Sequence, residues 1–346
     1  MRLFHNDYNE ICHPEILKRL QERSSEQMPG YGEDAACNRA ADLIRSACGN
    51  ANLAVHFLVG GTQTNLIVIA ASLRPHQGVI SADSGHVNVH ETGAIEATGH
   101  KVILLPGKEG KINSQQVRKL VEAQSLSMDA EHIVQPKMVY ISNPTEYGTT
   151  YSLQELTDLS ECCRALGLIL YVDGARMGYG LAAADNDITL ADYARLCDAF
   201  YIGGTKVGTM FGEAVVISNP SVAEDFRYLM KQRGGLLSKG WLLGLQFERM
   251  FEDGLYLQIS KHADLMADQL RDTLRELSLP LYLPNRTNQV FVTLPNRELA
   301  LLGEDFTYAV WEEADANHTI VRFCTSWATT QENVDALCQR LRELFS

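Results

Sequence analysis

An α/β fold, with a large, mostly parallel sheet covered by helices on both faces, is predicted by three observations. Short β-prone apolar runs recur along the first two-thirds of the chain: VHFLV, VIS, KVILL, KMVYIS, LILYVD and AFYIG. Between most of them lie segments of helical pattern, TNLIVIAASL, QQVRKLVEAQ and LQELTDLSECCRAL, and this alternation is the signature of parallel strands joined by crossover helices. After Ser218-Asn219-Pro220 the rhythm changes to long helical patterns and then to short strands followed by helices, as expected of a smaller α+β domain. The expected division is therefore an N-terminal arm and large domain over 1–250 and a small C-terminal domain over 251–346.

Composition limits the partners. With 346 residues and 45% hydrophobic content the chain can bury a sizeable core. The 30 Lys+Arg against 43 Asp+Glu leave a formal charge of −13, which argues against a general affinity for nucleic acid or an anionic membrane. An anionic ligand needs a local cluster of donors. The start, MRLFHNDYNE, has no apolar core behind a basic head, and the longest apolar stretch, near Leu66–Leu73, is too short to span a bilayer, so a cytoplasmic protein is expected. Eight cysteines without a C-x-x-C argue for buried thiols, not a disulfide framework.

Taken in order, an arm containing Asn6, Asp7 and Tyr8 precedes His13-Pro14, where Pro at the first position opens a helix through EILKRLQERSSEQ. A glycine-tyrosine loop at GYGED then leads into a helix closed by Gly49. Gly60-Gly61-Thr62-Gln63-Thr64-Asn65 follows the strand VHFLV and opens the next helix. Its free N–H groups and positive dipole end suit a phosphate, although a threonine-capped turn reads equally well. His86, His90 and Glu91 lie in SGHVNVHETG. The two histidines share a helical face, but no third ligand is evident and no metal is expected; an imidazole against a cofactor ring, a base or a structural histidine are the open readings.

Asn143-Pro144-Thr145-Glu146 follows KMVYIS at a strand's carboxyl end, where ligands of such sheets gather; Asn143 is suited to donate to a ring oxygen or to cap a turn. LILYVDGAR puts Asp173 directly after an apolar strand. A carboxylate there needs a cation or proton donor, either a protonated pyridine nitrogen or its own neighbour Arg176. In AFYIGGTKVGTMFGEAVVI a lone lysine, Lys206, sits on a glycine turn between two apolar runs. A partly dry pocket would favour its neutral, nucleophilic form, as Schiff-base chemistry requires, whereas a solvated turn lysine is the plain alternative. Arg322, inside VRFCTSW, is suited to clamp a carboxylate or to form a structural ion pair.

Together, Gly60-Gly61-Thr62, His86, Asp173-Gly174-Ala175-Arg176, Lys206 and Arg322 resemble the fold type I pyridoxal-phosphate enzymes. More closely, the order HNDY, YGED, FLVGGTQTN, HETGAIEATGH, VDGAR, GGTKVG and VRFCTSW is similar to that of the low-specificity L-threonine aldolases of the β-eliminating lyase superfamily. The resemblance implies that Lys206 holds pyridoxal 5'-phosphate as an internal aldimine, Asp173 pairs with its ring nitrogen, His86 stacks on the ring, and Gly60, Gly61 and Thr62 bind the phosphate. It further implies that Asn6, Arg176 and Arg322 hold the substrate carboxylate. A homodimer or homotetramer with shared sites is implied as well, with Tyr31 and Lys239 reaching a neighbour's cofactor. The reaction implied is retro-aldol cleavage of β-hydroxy-α-amino acids to glycine and an aldehyde. The base is left open among His86, Glu91, Glu146 and a held water. Where relatives often carry a histidine this chain has Glu146. A β-eliminating lyase or an aminotransferase shares the same lysine, aspartate and phosphate turn and stands as the alternative, ahead of a non-catalytic pyridoxal-phosphate-binding protein. A nicotinamide enzyme is disfavoured by the absence of G-x-G-x-x-G.

Overall fold

The computed structural model describes residues 1–345. Seven strands form the central sheet in the order Ala54–Leu58, Glu213–Ile217, Ala199–Gly203, Ile169–Asp173, Gln135–Ser142, Gln77–Ala82 and Val102–Leu105. Glu213–Ile217 runs antiparallel to both neighbours, and the remaining pairs are parallel. Sheets of this kind are covered on both faces, so their strands read as continuous apolar runs; every residue of Ile169–Asp173 and Ala199–Gly203 is buried. Alternate residues then feed two cores. Val139, Ile141, Leu170, Val172, Phe200 and Ile202 pack on one face, and Met138, Tyr140, Ile169, Tyr171, Ala199 and Tyr201 on the other.

The expected crossover helices form at Gly61–Ser72, Ser114–Ser125 and Leu153–Leu166. Ser152 and Glu155 close a reciprocal capping box on the last of these, which satisfies N–H groups the helix cannot pair itself. The helix opened by Pro14 stops at Glu22, short of the expected run, because Arg23 turns back onto Glu26 and two serines follow, residues that favour turns over helix interiors. All eight cysteines are free and buried. Among the described residues no helix is long and apolar enough to cross a membrane.

The C-terminal part carries an antiparallel sheet, Ala309–Glu313, His318–Cys324 and Gln289–Pro295, with His318–Cys324 in the middle, backed by the helices Leu255–Glu276 and Gln331–Phe345. Two features differ from the division expected at residue 250. The N-terminal arm, grouped there with the large domain, pairs Arg2–Leu3 with Phe306–Thr307 and buries Phe4 in the C-terminal core. The helix Leu255–Glu276 serves both halves: Tyr256, Ile259 and Ala263 join the central core, whereas Met266, Leu270 and Leu274 join the C-terminal one.

Candidate active site

Parallel strands place their carboxyl ends on one edge, and two of them converge there. Ile169–Asp173 pairs with Ala199–Gly203, and beyond the strands Gly203 N donates to Gly174 O at 2.9 Å. A Cβ on Gly174 would lie 1.9 Å from the Tyr201 carbonyl oxygen, and one on Gly203 would lie 2.3 Å from that of Ala175. Only glycine permits this approach. It brings Asp173 and Lys206 to the wall of one cavity of about 320 Å³, which Gly60, Gly61, Thr62, His86, Glu146 and Arg176 also line. The helix Gly61–Ser72 points its N-terminus at this space with no side chain capping it, so its first-turn N–H groups are open to an anion.

Asp173 is buried and held by four donors. Its Oδ2 accepts from Tyr140 Oη at 2.7 Å and Asn65 Nδ2 at 2.9 Å, and its Oδ1 from Ala175 N at 3.0 Å and from Tyr201 Oη. Burial works to raise its pKa, but the neighbouring His86 and these hydrogen bonds outweigh it and hold the carboxyl below the usual aspartate value. The carboxylate is thus kept ionised inside the protein.

Lys206 is half-buried. Desolvation and the Arg176 guanidinium lower its pKa, against opposing pulls from Asp7, Asp173 and Glu213. Arg176 does not pair with Asp173; its Nε and Nη2 grip Asp7 at 2.7 and 3.0 Å, leaving Nη1 without a hydrogen bond among the described residues. Asp7, fully buried, also accepts from Asn288 Nδ2 at 2.8 Å, which ties the arm to both halves of the molecule. Glu213 is a buried acid on the cavity wall, and burial pushes its pKa up to about 8.

His86 turns Nδ1 toward Glu91 Oε1 at 2.7 Å, so Nε2 is the ring nitrogen left for chemistry. Glu146 accepts from Ser142 Oγ at 2.6 Å and from the His86 backbone N–H at 2.9 Å, and burial raises its pKa. Asn143 does not line the cavity. The amide expected to reach a ring oxygen is turned inward, its Nδ2 donating to Tyr193 Oη at 2.6 Å and its Oδ1 accepting from Tyr151 N at 3.1 Å. Asn6 also lies off the cavity wall, where its neighbour Tyr8 stands instead; Asn6 Oδ1 accepts from Tyr8 N.

Arg322 also lies off the cavity wall, half-buried beside Gln289 Oε1 at 3.0 Å and over the Trp311 ring at 5.6 Å, with Nη2 donating to His5 O at 3.4 Å; its Nε is buried without a partner among the described residues. It joins His86, Lys206 and Arg176 in holding down the pKa of His90, after burial itself. Tyr31 and Lys239 are exposed, do not line this cavity in the single chain, and lie near each other: Tyr31 N donates to Ser238 O at 3.3 Å. Asp7, Asn65 and Glu213 carried no sequence signal of a role. Asp7 stood only as one polar residue of the arm, and Glu213 as the first letter of an apolar run.

A primary amine, an ionised buried carboxylate and an uncapped helix N-terminus around one cavity are suited to a cofactor bearing an aldehyde, a basic ring nitrogen and a phosphate. With the seven-stranded sheet, this defines a fold type I pyridoxal-phosphate enzyme. A family model described as beta-eliminating lyase matches residues 18–296, and the chain belongs to that family. It is similar to the low-specificity L-threonine aldolase of Pseudomonas aeruginosa, 31% identical over an alignment of 343 residues that covers 97% of this chain and 96% of that protein. Among solved structures, a threonine aldolase of Leishmania major superposes with a TM-score of 0.97 at 44% identity, covering 100% of each chain. A ureidoglycine–glyoxylate aminotransferase of Bacillus subtilis, 17% identical with a TM-score of 0.70 over 99% of this chain and 92% of that one, shares the fold. Membership of the family implies pyridoxal phosphate as the cofactor and a carbon–carbon lyase as the enzyme class.

Proposed function

We propose that this chain is a pyridoxal-phosphate-dependent aldolase that cleaves β-hydroxy-α-amino acids of the L-threonine and L-allo-threonine type to glycine and an aldehyde. The observation that carries this reading is the convergence of Lys206, Asp173 and the Gly60–Thr62 turn on one cavity. When bound, the cofactor supplies an electron sink for the charge left on Cα as the Cα–Cβ bond breaks. Lys206 Nζ would hold it covalently, and its lowered pKa increases the neutral, nucleophilic fraction. Asp173 would pair with the ring nitrogen, the Gly60–Thr62 N–H groups with the phosphate, and His86 would flank the ring.

Arg176, through its free Nη1, and Arg322 would hold the substrate carboxylate and so set the scissile bond in the reactive orientation. His86 Nε2 would accept the β-hydroxyl proton, with Glu91 behind it stabilising the imidazolium that forms. Glu146, whose pKa burial raises, is the second acid–base candidate on the wall of the cavity.

The exposed pair Tyr31 and Lys239 supports a homodimer or homotetramer in which each subunit completes its neighbour's site. Eight buried free thiols suit a reducing, cytoplasmic setting. The decisive experiment incubates the purified protein with L-threonine, L-allo-threonine and L-phenylserine. Glycine and an aldehyde are the expected products, whereas pyruvate and ammonia from serine or cysteine would replace the aldolase by a β-eliminating lyase. Lys206→Ala should abolish the visible cofactor band and lower turnover at least 10²-fold, in the range lost when a single catalytic group is removed.

A further inference from the structure

Among the described residues, Arg322 is held by neutral groups. Its Nη1 donates to Gln289 Oε1 at 3.0 Å, its Nη2 to the His5 carbonyl oxygen at 3.4 Å, and its guanidinium lies 5.6 Å from the centre of the Trp311 ring. No carboxylate among those residues pairs with it, whereas Arg176 is bound to Asp7 at 2.7 Å. The charge of Arg322 is therefore left for a ligand. Gln289 reaches it by register. Arg322 pairs with Phe291 and Gln289 with Cys324, so Gln289 stands diagonal to Arg322 on one face of the sheet, a separation that long side chains bridge.

The opposite face of that sheet, with Val290, Val292, Val321 and Phe323, packs in the C-terminal core. The Gln289 face meets the large domain at the loop that carries Glu146: Phe291 lies 6.1 Å from the Tyr147 ring, and Thr287 Oγ1 donates to Gly148 O at 2.9 Å. Arg322 shares this region with the cations of the cavity wall. Burial raises the pKa of the Cys324 thiol while Arg322, Arg176 and Lys206 pull it down, and the same three groups act on His90.

Gln289 is fully buried, and its orientation is imposed by its partner. Arginine has no acceptor, so the amide must turn its oxygen to Arg322, which commits Nε2 to a position without an acceptor among the described residues. Arg322 Nε is likewise buried and unpartnered. The pair is rich in donors and carries no negative charge. A glutamate of the same length would grip the guanidinium more strongly, but it would also neutralise it. We propose that Gln289 is the positioning residue of the substrate-carboxylate clamp: its neutral amide orients the Arg322 guanidinium without discharging it, so that the charge remains for the amino acid. This rests on the aldolase reading above, in which Arg322 takes the substrate carboxylate.

The test titrates the visible cofactor band of the full-length holoenzyme with glycine and with glycinamide, which has the same amine but a neutral amide in place of the carboxylate. The wild type should prefer glycine. Gln289→Glu keeps the length and an acceptor for Arg322 but supplies an internal carboxylate. Its preference for glycine should fall roughly tenfold, the scale of one charge-assisted hydrogen bond, while its affinity for glycinamide is kept or raised. Gln289→Leu leaves the guanidinium charged but unanchored, and its preference should fall less, roughly threefold. A purely structural role gives the opposite order, because Glu keeps the bond to Arg322 and Leu does not, and it weakens both ligands together. Wild-type preference in Gln289→Glu, or a larger loss in Gln289→Leu, would overturn the role. Should Gln289→Glu give no folded holoenzyme, Gln289→Leu decides alone: a loss confined to glycine supports the inference, and an unchanged preference overturns it. A wild type without a cofactor band would remove the proposed function itself, and one that binds both ligands equally would remove its carboxylate clamp; this inference falls with either.

Discussion

Asn65 stands between two buried carboxylates, its Nδ2 donating to Glu91 Oε1 at 2.7 Å and to Asp173 Oδ2 at 2.9 Å. The amide is not reversed, because its oxygen would then face two carboxylate oxygens; as placed, its Oδ1 accepts from Tyr171 Oη at 2.8 Å. One neutral side chain thereby joins the group that faces His86 to the group proposed for the cofactor ring, and lets both acids remain buried without contact between them. Low local dielectric makes such a network costly to break.

Asn65→Leu, close in volume but without donors, should therefore destabilise the protein by about 3–6 kcal/mol, two hydrogen bonds to charged groups at about 1.5–3 kcal/mol each. Chemical denaturation at pH 7 measures this. The pH profile carries a sign. Asp173 has a depressed folded pKa, so its contribution is present above its unfolded value near 3.8 and is lost as pH falls through the lower folded value. Removing a donor raises the folded value toward the unfolded one, so the variant's acid limb, starting from the same unfolded value, should be smaller and level off at a higher pH than that of the wild type. An unchanged acid limb would show that Asn65 does not hold Asp173 ionised.

The Asp7–Arg176 pair makes a second expectation. Both partners are nearly free of solvent, with side-chain exposures of 0% and 11%, so deleting one leaves the other charge buried and unmatched. Asp7→Ala should cost about 3–5 kcal/mol and loosen the arm, visible as faster amide exchange at Phe4 and Cys324, whose backbones are bonded at 2.7 Å. Asp7→Asn retains an acceptor for Arg176 and should cost less. Equal losses in the two variants would mean that the charge on Asp7, and not its shape or an acceptor oxygen, carries the whole interaction.

Much of this site was legible in the sequence because its parts are local. Lys206, Asp173 and the Gly60–Thr62 turn each follow a short apolar run, and a buried parallel strand announces itself by that run and by the glycine after it. Residues whose roles depend on register were not legible. Glu213 begins the strand EAVVI, and only pairing with Leu58 and Gly203 brings it to the cavity. Asp7 reaches Arg176 across 169 positions of sequence. Asn143 failed as a ring donor for a related reason: its turn is local, but the Tyr193 hydroxyl that captures its amide comes from a helix 50 residues away. The strand Ala309–Glu313 was missed because it is a half-exposed edge, with Glu312 and Glu313 facing solvent where an apolar alternation would be sought.

Glu91 yields a third expectation. Its side chain is fully buried, it accepts from Asn65, and it faces His86 Nδ1, so it fixes which imidazole nitrogen is exposed to the cavity. Glu91→Gln keeps the shape but removes the charge that stabilises an imidazolium. Turnover with L-threonine should fall roughly 10²-fold, as for loss of one acid–base group, while KM changes little because Glu91 is not on the cavity wall. An unaltered turnover would transfer the base role to Glu146 or to water.

Arg322 separates a binding role from a structural one. Its contacts with Gln289 and the Trp311 ring orient the guanidinium, and its Nε has no partner among the described residues. Arg322→Ala should raise KM for amino-acid substrates at least tenfold, the equivalent of one charge-assisted hydrogen bond at about 1.5–3 kcal/mol, while the visible cofactor band persists. Arg322→Lys should not restore affinity, since an ammonium lacks the planar fork that grips a carboxylate and the flat face that stacks on Trp311. The counter-result is equally clear: a drop in melting temperature with KM unchanged would make Arg322 a support for the strand His318–Cys324 and leave the carboxylate to Arg176 alone.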